Sequence, residues 1–89
     1  NKAKAEEYFR VALSVNPALH KSLYQMALLS YDNGEFMKAR AFIERFHALG
    51  QTEQSLKLGI RIEQALGDNA AVDRYGKALS TKFSGAGLE

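Results

Sequence analysis

The sequence predicts an all-α fold of about five helices, arranged as antiparallel helical hairpins. Its apolar residues recur at three- and four-residue steps, which is the period of a helix. No stretch alternates apolar and polar residues as a half-buried strand would. Glycines at regular intervals separate the apolar segments. These observations predict helices over residues 2–15, 18–33, 36–49, 53–66 and 69–83.

Each predicted helix carries one apolar face. Because residues three or four apart lie on the same side of a helix, the members of a face can be buried together. A helix with one such face needs a neighbouring element to cover it. In chain order the faces include Ala5, Tyr8 and Phe9; Leu23, Met26 and Ala27; Phe36, Ala39 and Ile43; Leu56, Ile60, Ile62 and Leu66; and Val72, Tyr75 and Leu79.

Three residues mark helix starts. Pro17 suits the first turn of the second predicted helix, where its missing N–H costs no hydrogen bond. Thr52 and Asp68 precede the fourth and fifth helices and are residue types that cap the first free N–H groups. We therefore expect the fourth and fifth helices to begin directly after these two side chains.

Glycines mark the helix ends. Gly34, Gly50 and Gly67 stand where a left-handed residue would close a helix without a steric penalty. Gly85 is a fourth glycine that could end a helix. The resulting connections are two to four residues long, which favours antiparallel packing of successive helices.

Composition and charge exclude several classes of function. Twelve Lys and Arg against ten Asp and Glu leave a net charge of +2, too small to indicate a nucleic-acid partner. The absence of cysteine excludes disulfides, a thiolate nucleophile and a cysteine zinc site. With 46% hydrophobic residues the chain is globular in composition. No apolar run approaches the ~20 residues that span a bilayer, so we expect no direct membrane insertion.

The ends of the chain indicate a piece of a longer protein. It begins at Asn1 rather than Met and shows no signal-peptide pattern. The final pair, Leu88-Glu89, is typical of a cloning scar ahead of an affinity tag. We therefore assign residues 85–89 to a tail.

An internal repeat runs through the chain. A shift of 34 positions places Ala5 on Ala39 and Phe9 on Ile43. The spacing Ala5-x3-Phe9-x2-Ala12-x4-Pro17 resembles the second half of a tetratricopeptide (TPR) repeat. A segment resembling a whole repeat begins at residue 20, and a degenerate one begins at residue 53.

The resemblance implies a TPR-type α-solenoid of stacked hairpins. The degenerate repeat departs from the family pattern at Gly76, and the whole repeat departs at Ser30. A chain that begins inside a repeat leaves its first helix without a hairpin partner, so self-association through that exposed helix is expected. The resemblance divides the chain into a truncated repeat at 1–17, a complete repeat at 18–50, a degenerate C-terminal repeat at 51–84 and the tail at 85–89.

The last third of the chain resembles one subfamily of TPR proteins in particular. The run Leu56-Lys57-Leu58-Gly59-Ile60-Arg61-Ile62 is similar to the C-terminal part of the TPR lipoproteins of type IV pilus biogenesis, the secretin pilotins. That similarity implies a protein-interaction scaffold at the periplasmic face of the outer membrane. The implied partner is the outer-membrane secretin subunit, whose main site is expected in repeats upstream of this chain.

The residues predict no enzyme, no cofactor and no metal site. His20 and His47 are the only histidines, and neither has a second histidine at metal-ligand spacing, so each is interpreted as a satisfied surface or boundary residue. No serine stands in a Gly-x-Ser-x-Gly context. Gly85-Ala86-Gly87 is too short for a phosphate loop.

A peptide groove is the candidate site that the resemblance implies, because the first helices of TPR hairpins line a concave surface. Two readings stay open for its tyrosines, contact with a partner or packing between helices. The family's groove positions fall on two helices. The candidate groove residues are Lys21, Tyr24, Leu28, Tyr31, Lys57, Arg61 and Gln64, with Asp32, Gln54 and Ala65 at neighbouring groove positions.

Lys57 and Arg61 stand one turn apart and could bind the C-terminal carboxylate of a peptide. Leu28 occupies the position where carboxylate-binding TPR proteins place asparagine, so this clamp is incomplete and a solvated face is the competing interpretation. Two alternatives to the pilus scaffold also stay open. The chain could be a structural end-cap of a solenoid, or a peptide-binding TPR module of an unrelated cytoplasmic assembly.

Overall fold

The structure is a computed structural model that describes the backbone of residues 20–88 and the side chains of residues 20–83. The first predicted helix, the N-terminal position of Pro17 and the proposed self-association through residues 1–17 lie outside the described residues. Within the described part the chain is helical and contains no strand, as the sequence predicts. The helices are α1 (His20–Asp32), α2 (Phe36–Leu49), α3 (Glu53–Leu66) and α4 (Asn69–Leu88).

The helices stack in chain order. Helices that are neighbours in the chain pack against each other, most closely α1 with α2 and α3 with α4, and α1 also contacts α3. This arrangement is the one expected of consecutive hairpins, in which the apolar face of one pair is covered by the following pair. The predicted all-α solenoid is therefore confirmed for the described residues.

The core lies where α1, α2 and α3 meet. The predicted faces of α1 and α2 supply its largest part. On α3 the buried residues are more numerous than one amphipathic face predicts, because α3 is covered by α1 and α2 on one side and by α4 on the other. The core contains Leu23, Met26, Ala27, Ala39, Ile43, Phe46, Leu58 and Ile62.

Two N-caps are confirmed. The Thr52 hydroxyl accepts a hydrogen bond from the Ser55 backbone N–H at 3.0 Å, and the Ser55 hydroxyl accepts one from the Thr52 N–H at 2.9 Å. This reciprocal capping box fixes the start of α3. The Asp68 carboxylate accepts a hydrogen bond from the Ala71 N–H at 3.1 Å and caps α4.

The predicted roles of the glycines at the helix ends are confirmed only in part. Gly67 has φ 75° and ψ 22°, the predicted left-handed conformation. For Gly50 that prediction is wrong, because its φ of 152° and ψ of 146° form an extended conformation open mainly to glycine. The extended residue leads the chain towards Thr52 and the start of α3. Gly85 does not end a helix, since α4 continues to Leu88 and not only to residue 83.

Candidate functional site

An open groove runs between α1 and α3. Its two parts, of about 440 and 190 Å³, are adjacent, because Tyr24 and Gln54 line both of them. Both helices are first helices of hairpins, which is the surface that a TPR stack leaves concave. The larger part is lined by His20, Lys21, Tyr24, Gln25, Phe46, Thr52 and Gln54, and the smaller by Tyr24, Leu28, Gln54, Lys57, Leu58 and Arg61.

Stacked rings form the wall at the larger end of the groove. His20 lies parallel to Phe46, with their ring centroids 3.7 Å apart, and Tyr24 lies tilted against the same ring at 5.8 Å. The Nε2 atom of His20 is 3.2 Å from the Gly50 carbonyl oxygen, which ties the ring to the loop after α2. Tyr24 remains partly exposed, so a flat aromatic surface faces the groove.

Basic side chains line the groove on both helices. Lys21 and Arg61 are exposed, and Arg61 forms no ion pair with any described residue. Lys57 pairs with Glu53 one turn earlier at 3.1 Å. Both of these side chains are about half exposed, so solvent screens the pair and Lys57 remains available to another anion.

The structure brings five of the seven predicted groove residues together, namely Lys21, Tyr24, Leu28, Lys57 and Arg61. The neighbouring position Gln54 also lines the groove.

Two predicted groove residues do not line the groove. The Tyr31 ring packs against Phe36, with centroids 5.5 Å apart, so the interpretation of helix packing holds for this tyrosine. Gln64 is exposed, and it lies nearly one turn beyond Arg61 on α3. The neighbouring positions Asp32 and Ala65 are exposed and also lie outside the lining.

Phe46 and Leu58 contribute to the groove without having been predicted there. Both belong to the buried core, with exposed fractions of 5% and 4%. Phe46 lies on α2, which packs against both α1 and α3, whereas Leu58 lies on α3 itself. No local sequence pattern distinguishes these two residues from ordinary core residues. Their place in the groove becomes visible only once the three helices are packed together.

A polar cluster joins α2 to the last turns of α3 and to the turn before α4. The Arg40 Nε donates to Glu63 at 3.0 Å, and Nη2 donates to the other Glu63 oxygen at 2.6 Å. Nη2 also lies 3.4 Å from Asp68. The side chain of Glu63 is only 2% exposed, and its hydrogen bond is the main cause that raises the pKa of Arg40. Two ion pairs therefore connect consecutive hairpins.

A second polar cluster surrounds His47. Its Nε2 is 2.9 Å from the Ser55 hydroxyl, which donates to the Thr52 carbonyl, so Nε2–H is the donor to Ser55. The Nδ1 atom is buried without a hydrogen-bond partner in the described structure. Burial lowers the pKa of His47. The ring meets Tyr75 edge-on at 5.2 Å, and burial raises the pKa of that phenol.

Neither Arg40 nor His47 lines the groove. Across residues 20–83 no group of three or more His, Asp or Glu side chains is close enough to hold a metal ion. Among the four described helices, none combines the length and apolar character needed to cross a bilayer. The groove between α1 and α3 is the candidate site in the described part of the chain.

Comparison with known proteins identifies a relative. No family model matches the chain. The chain is 33% identical over 85 residues to the Type IV pilus assembly protein PilF of Pseudomonas aeruginosa, covering 94% of this chain and 34% of that protein. The chain thus spans about a third of the length of the curated relative.

A solved structure, from a functional characterisation of Pseudomonas aeruginosa PilF, superposes with a TM-score of 0.80 at 33% identity. It covers 94% of this chain and 38% of the solved chain. The agreement of sequence and fold over the same share of the chain indicates common descent. The chain is therefore homologous over 94% of its length to part of the Type IV pilus assembly protein PilF and has a TPR-type helical fold.

Proposed function

We propose that this chain is a protein-interaction scaffold within a type IV pilus assembly protein. Support comes from its similarity to PilF over 94% of its length and from the groove between α1 and α3. In this proposal the chain makes and breaks no covalent bond. A segment of a partner protein becomes buried in the groove, and the two hairpins hold the groove open.

The shape and lining of the groove carry this proposal. An open channel with a partly exposed tyrosine and leucine leaves apolar surface for a peptide segment to cover. Interfaces are rich in aromatic side chains of this kind, because a tyrosine buries a large ring and keeps its hydroxyl in water. Tyr24 borders both parts of the groove and is the proposed central contact.

We further propose the finer assignment that the family resemblance implies. The parent is a lipoprotein pilotin at the periplasmic face of the outer membrane, and its partner is the secretin subunit. Residues 18–50 form one complete TPR repeat, and residues 51–84 form a degenerate repeat at the C-terminal end. The principal secretin site lies in repeats upstream, so this groove provides a secondary contact.

The test is capture of the secretin subunit by the parent protein carrying Tyr24→Ala or Leu28→Ala. Leu49→Ala is the matched control, because Leu49 is 49% exposed and lies outside the groove. Weaker capture by the groove variants, with capture by the control unchanged, supports the proposal. Thermal unfolding of each variant is measured in parallel. Undiminished capture together with lower stability would instead favour a structural end-cap.

A further inference from the structure

We propose that the groove takes an internal acidic segment of its partner, in which an apolar side chain is flanked by carboxylates. The inference rests on the proposed scaffold function and specifies the chemistry of the partner. It is carried by the kind and the position of the charged side chains along the groove. The partner is recognised by its alternation of negative and apolar groups.

The charge of the groove differs from that of the chain. The chain as a whole is nearly balanced, with a net charge of +2. Yet every formally charged side chain in the groove lining is basic: Lys21, Lys57 and Arg61. The acidic Glu53 stands beside Lys57 and offsets one of these charges. The lining therefore keeps a positive balance, which complements an acidic segment.

The basic side chains are spread along the groove. Lys21 lines the larger part, whereas Lys57 and Arg61 line the smaller, and the Tyr24 ring borders both. A single terminal carboxylate would need donors that converge on one point, and Leu28 offers none at the neighbouring position. Carboxylates placed before and after an apolar residue would instead meet Lys21 on one side of Tyr24 and Arg61 on the other.

The apolar and charged contacts have different consequences for binding. Exposed ion pairs contribute little individually, so affinity depends mainly on burial of the partner's apolar side chain against Tyr24 and Leu28. The basic residues select against neutral and basic segments and speed the encounter at low ionic strength. Binding should therefore weaken as salt rises, because salt screens exposed charges.

The test uses the full-length parent protein and fluorescein-labelled peptides followed by fluorescence anisotropy. The probe has a phenylalanine flanked by glutamates and an amidated C-terminus, which removes the terminal carboxylate. Its matched peptide has glutamine in place of every glutamate. Protein variants are Lys21→Glu and Arg61→Glu, with Lys77→Glu as the control, since Lys77 is an exposed lysine of α4 outside the groove.

The acidic peptide should bind about tenfold more tightly than the glutamine peptide, from several weak ion pairs acting together. Lys21→Glu and Arg61→Glu should each weaken binding of the acidic peptide severalfold, and Lys77→Glu should leave that binding unchanged. Equal affinity for both peptides, no binding of either, or equal losses in all three variants would overturn the proposal. If Tyr24→Ala still weakens capture of the secretin subunit, the scaffold function remains supported even when the acidic-segment proposal fails. If Tyr24→Ala leaves capture unchanged, the scaffold function is overturned as well.

Discussion

Gly59 is the position where adding one methyl group tests the packing of the two hairpins. It lies buried in the middle of α3, beneath the ring of Tyr75 from α4. A Cβ atom built there would stand 2.9 Å from Cε2 and 3.0 Å from Cδ2 of that ring. Real Cβ contacts are longer, and the ring is itself held against His47. We therefore expect Gly59→Ala to push α4 away from α3.

Two contributions of opposite sign determine how much Gly59→Ala changes the free energy of unfolding. Overpacking of a well-filled site costs roughly 1–3 kcal/mol. Replacing glycine by alanine inside a helix contributes about 1 kcal/mol in favour of folding. The net effect of Gly59→Ala is a loss of about 1 kcal/mol. Gly76→Ala is the matched control, because Gly76 lies in α4 with nothing within 4 Å of its added Cβ atom. It should gain about 1 kcal/mol.

Urea unfolding followed by circular dichroism measures both variants. Because the helix-propensity gain is common to them, the difference in their free energies of unfolding isolates the overpacking cost, roughly 1–3 kcal/mol. Tyr75→Leu should reduce that difference when combined with Gly59→Ala, since the ring is the obstacle. Equal stabilisation by both alanines would refute the reasoning and show that the Tyr75 ring does not rest on Gly59.

Three further predictions concern the polar clusters. The free energy of unfolding should fall as pH drops below 6.5, because the pKa of His47 is lower in the folded chain than in the unfolded chain, so the unfolded chain takes up the proton first. In His47→Gln, the free energy of unfolding from a pH series of urea titrations should depend less on pH. Ser55→Ala should cost roughly 1–3 kcal/mol, more than Thr52→Ala, since it also leaves His47 unpartnered; equal losses in urea titrations would contradict this. Glu63→Leu should lower the melting temperature, because it leaves the Arg40 guanidinium beside an apolar side chain with only its 3.4 Å contact to Asp68. Adding Arg40→Met should restore part of the loss, and a further fall in the double variant would contradict this explanation.

Helix boundaries were predictable because their signals are local. The helices Phe36–Leu49 and Glu53–Leu66 have the bounds that the sequence indicates. A glycine at each end, a capping threonine and a three-to-four-residue apolar period each act within a few residues. The extended conformation of Gly50 could not be read in the same way, since a glycine signals only that an unusual conformation is allowed.

Contacts between distant segments were not predictable. Glu63 reads as an ordinary solvated acid, and its burial depends on Arg40, 23 residues away. Tyr31 was assigned to the groove by its place in the repeat, but its ring instead covers Phe36 after the turn. The five groove residues that do come together were placed by the repeat pattern, because a TPR stack presents the same helix face in each hairpin.

Site-specific photocrosslinking tests most directly which face of the helical stack the partner contacts. A photoreactive benzoyl-phenylalanine is introduced into the parent protein at Leu28 in the groove, or at Met37, which is 63% exposed on α2 and lies outside the groove. After irradiation with the secretin subunit present, we expect a crosslink from position 28 and none from position 37, since the partner segment lies in the groove. A crosslink from position 37 alone would contradict it.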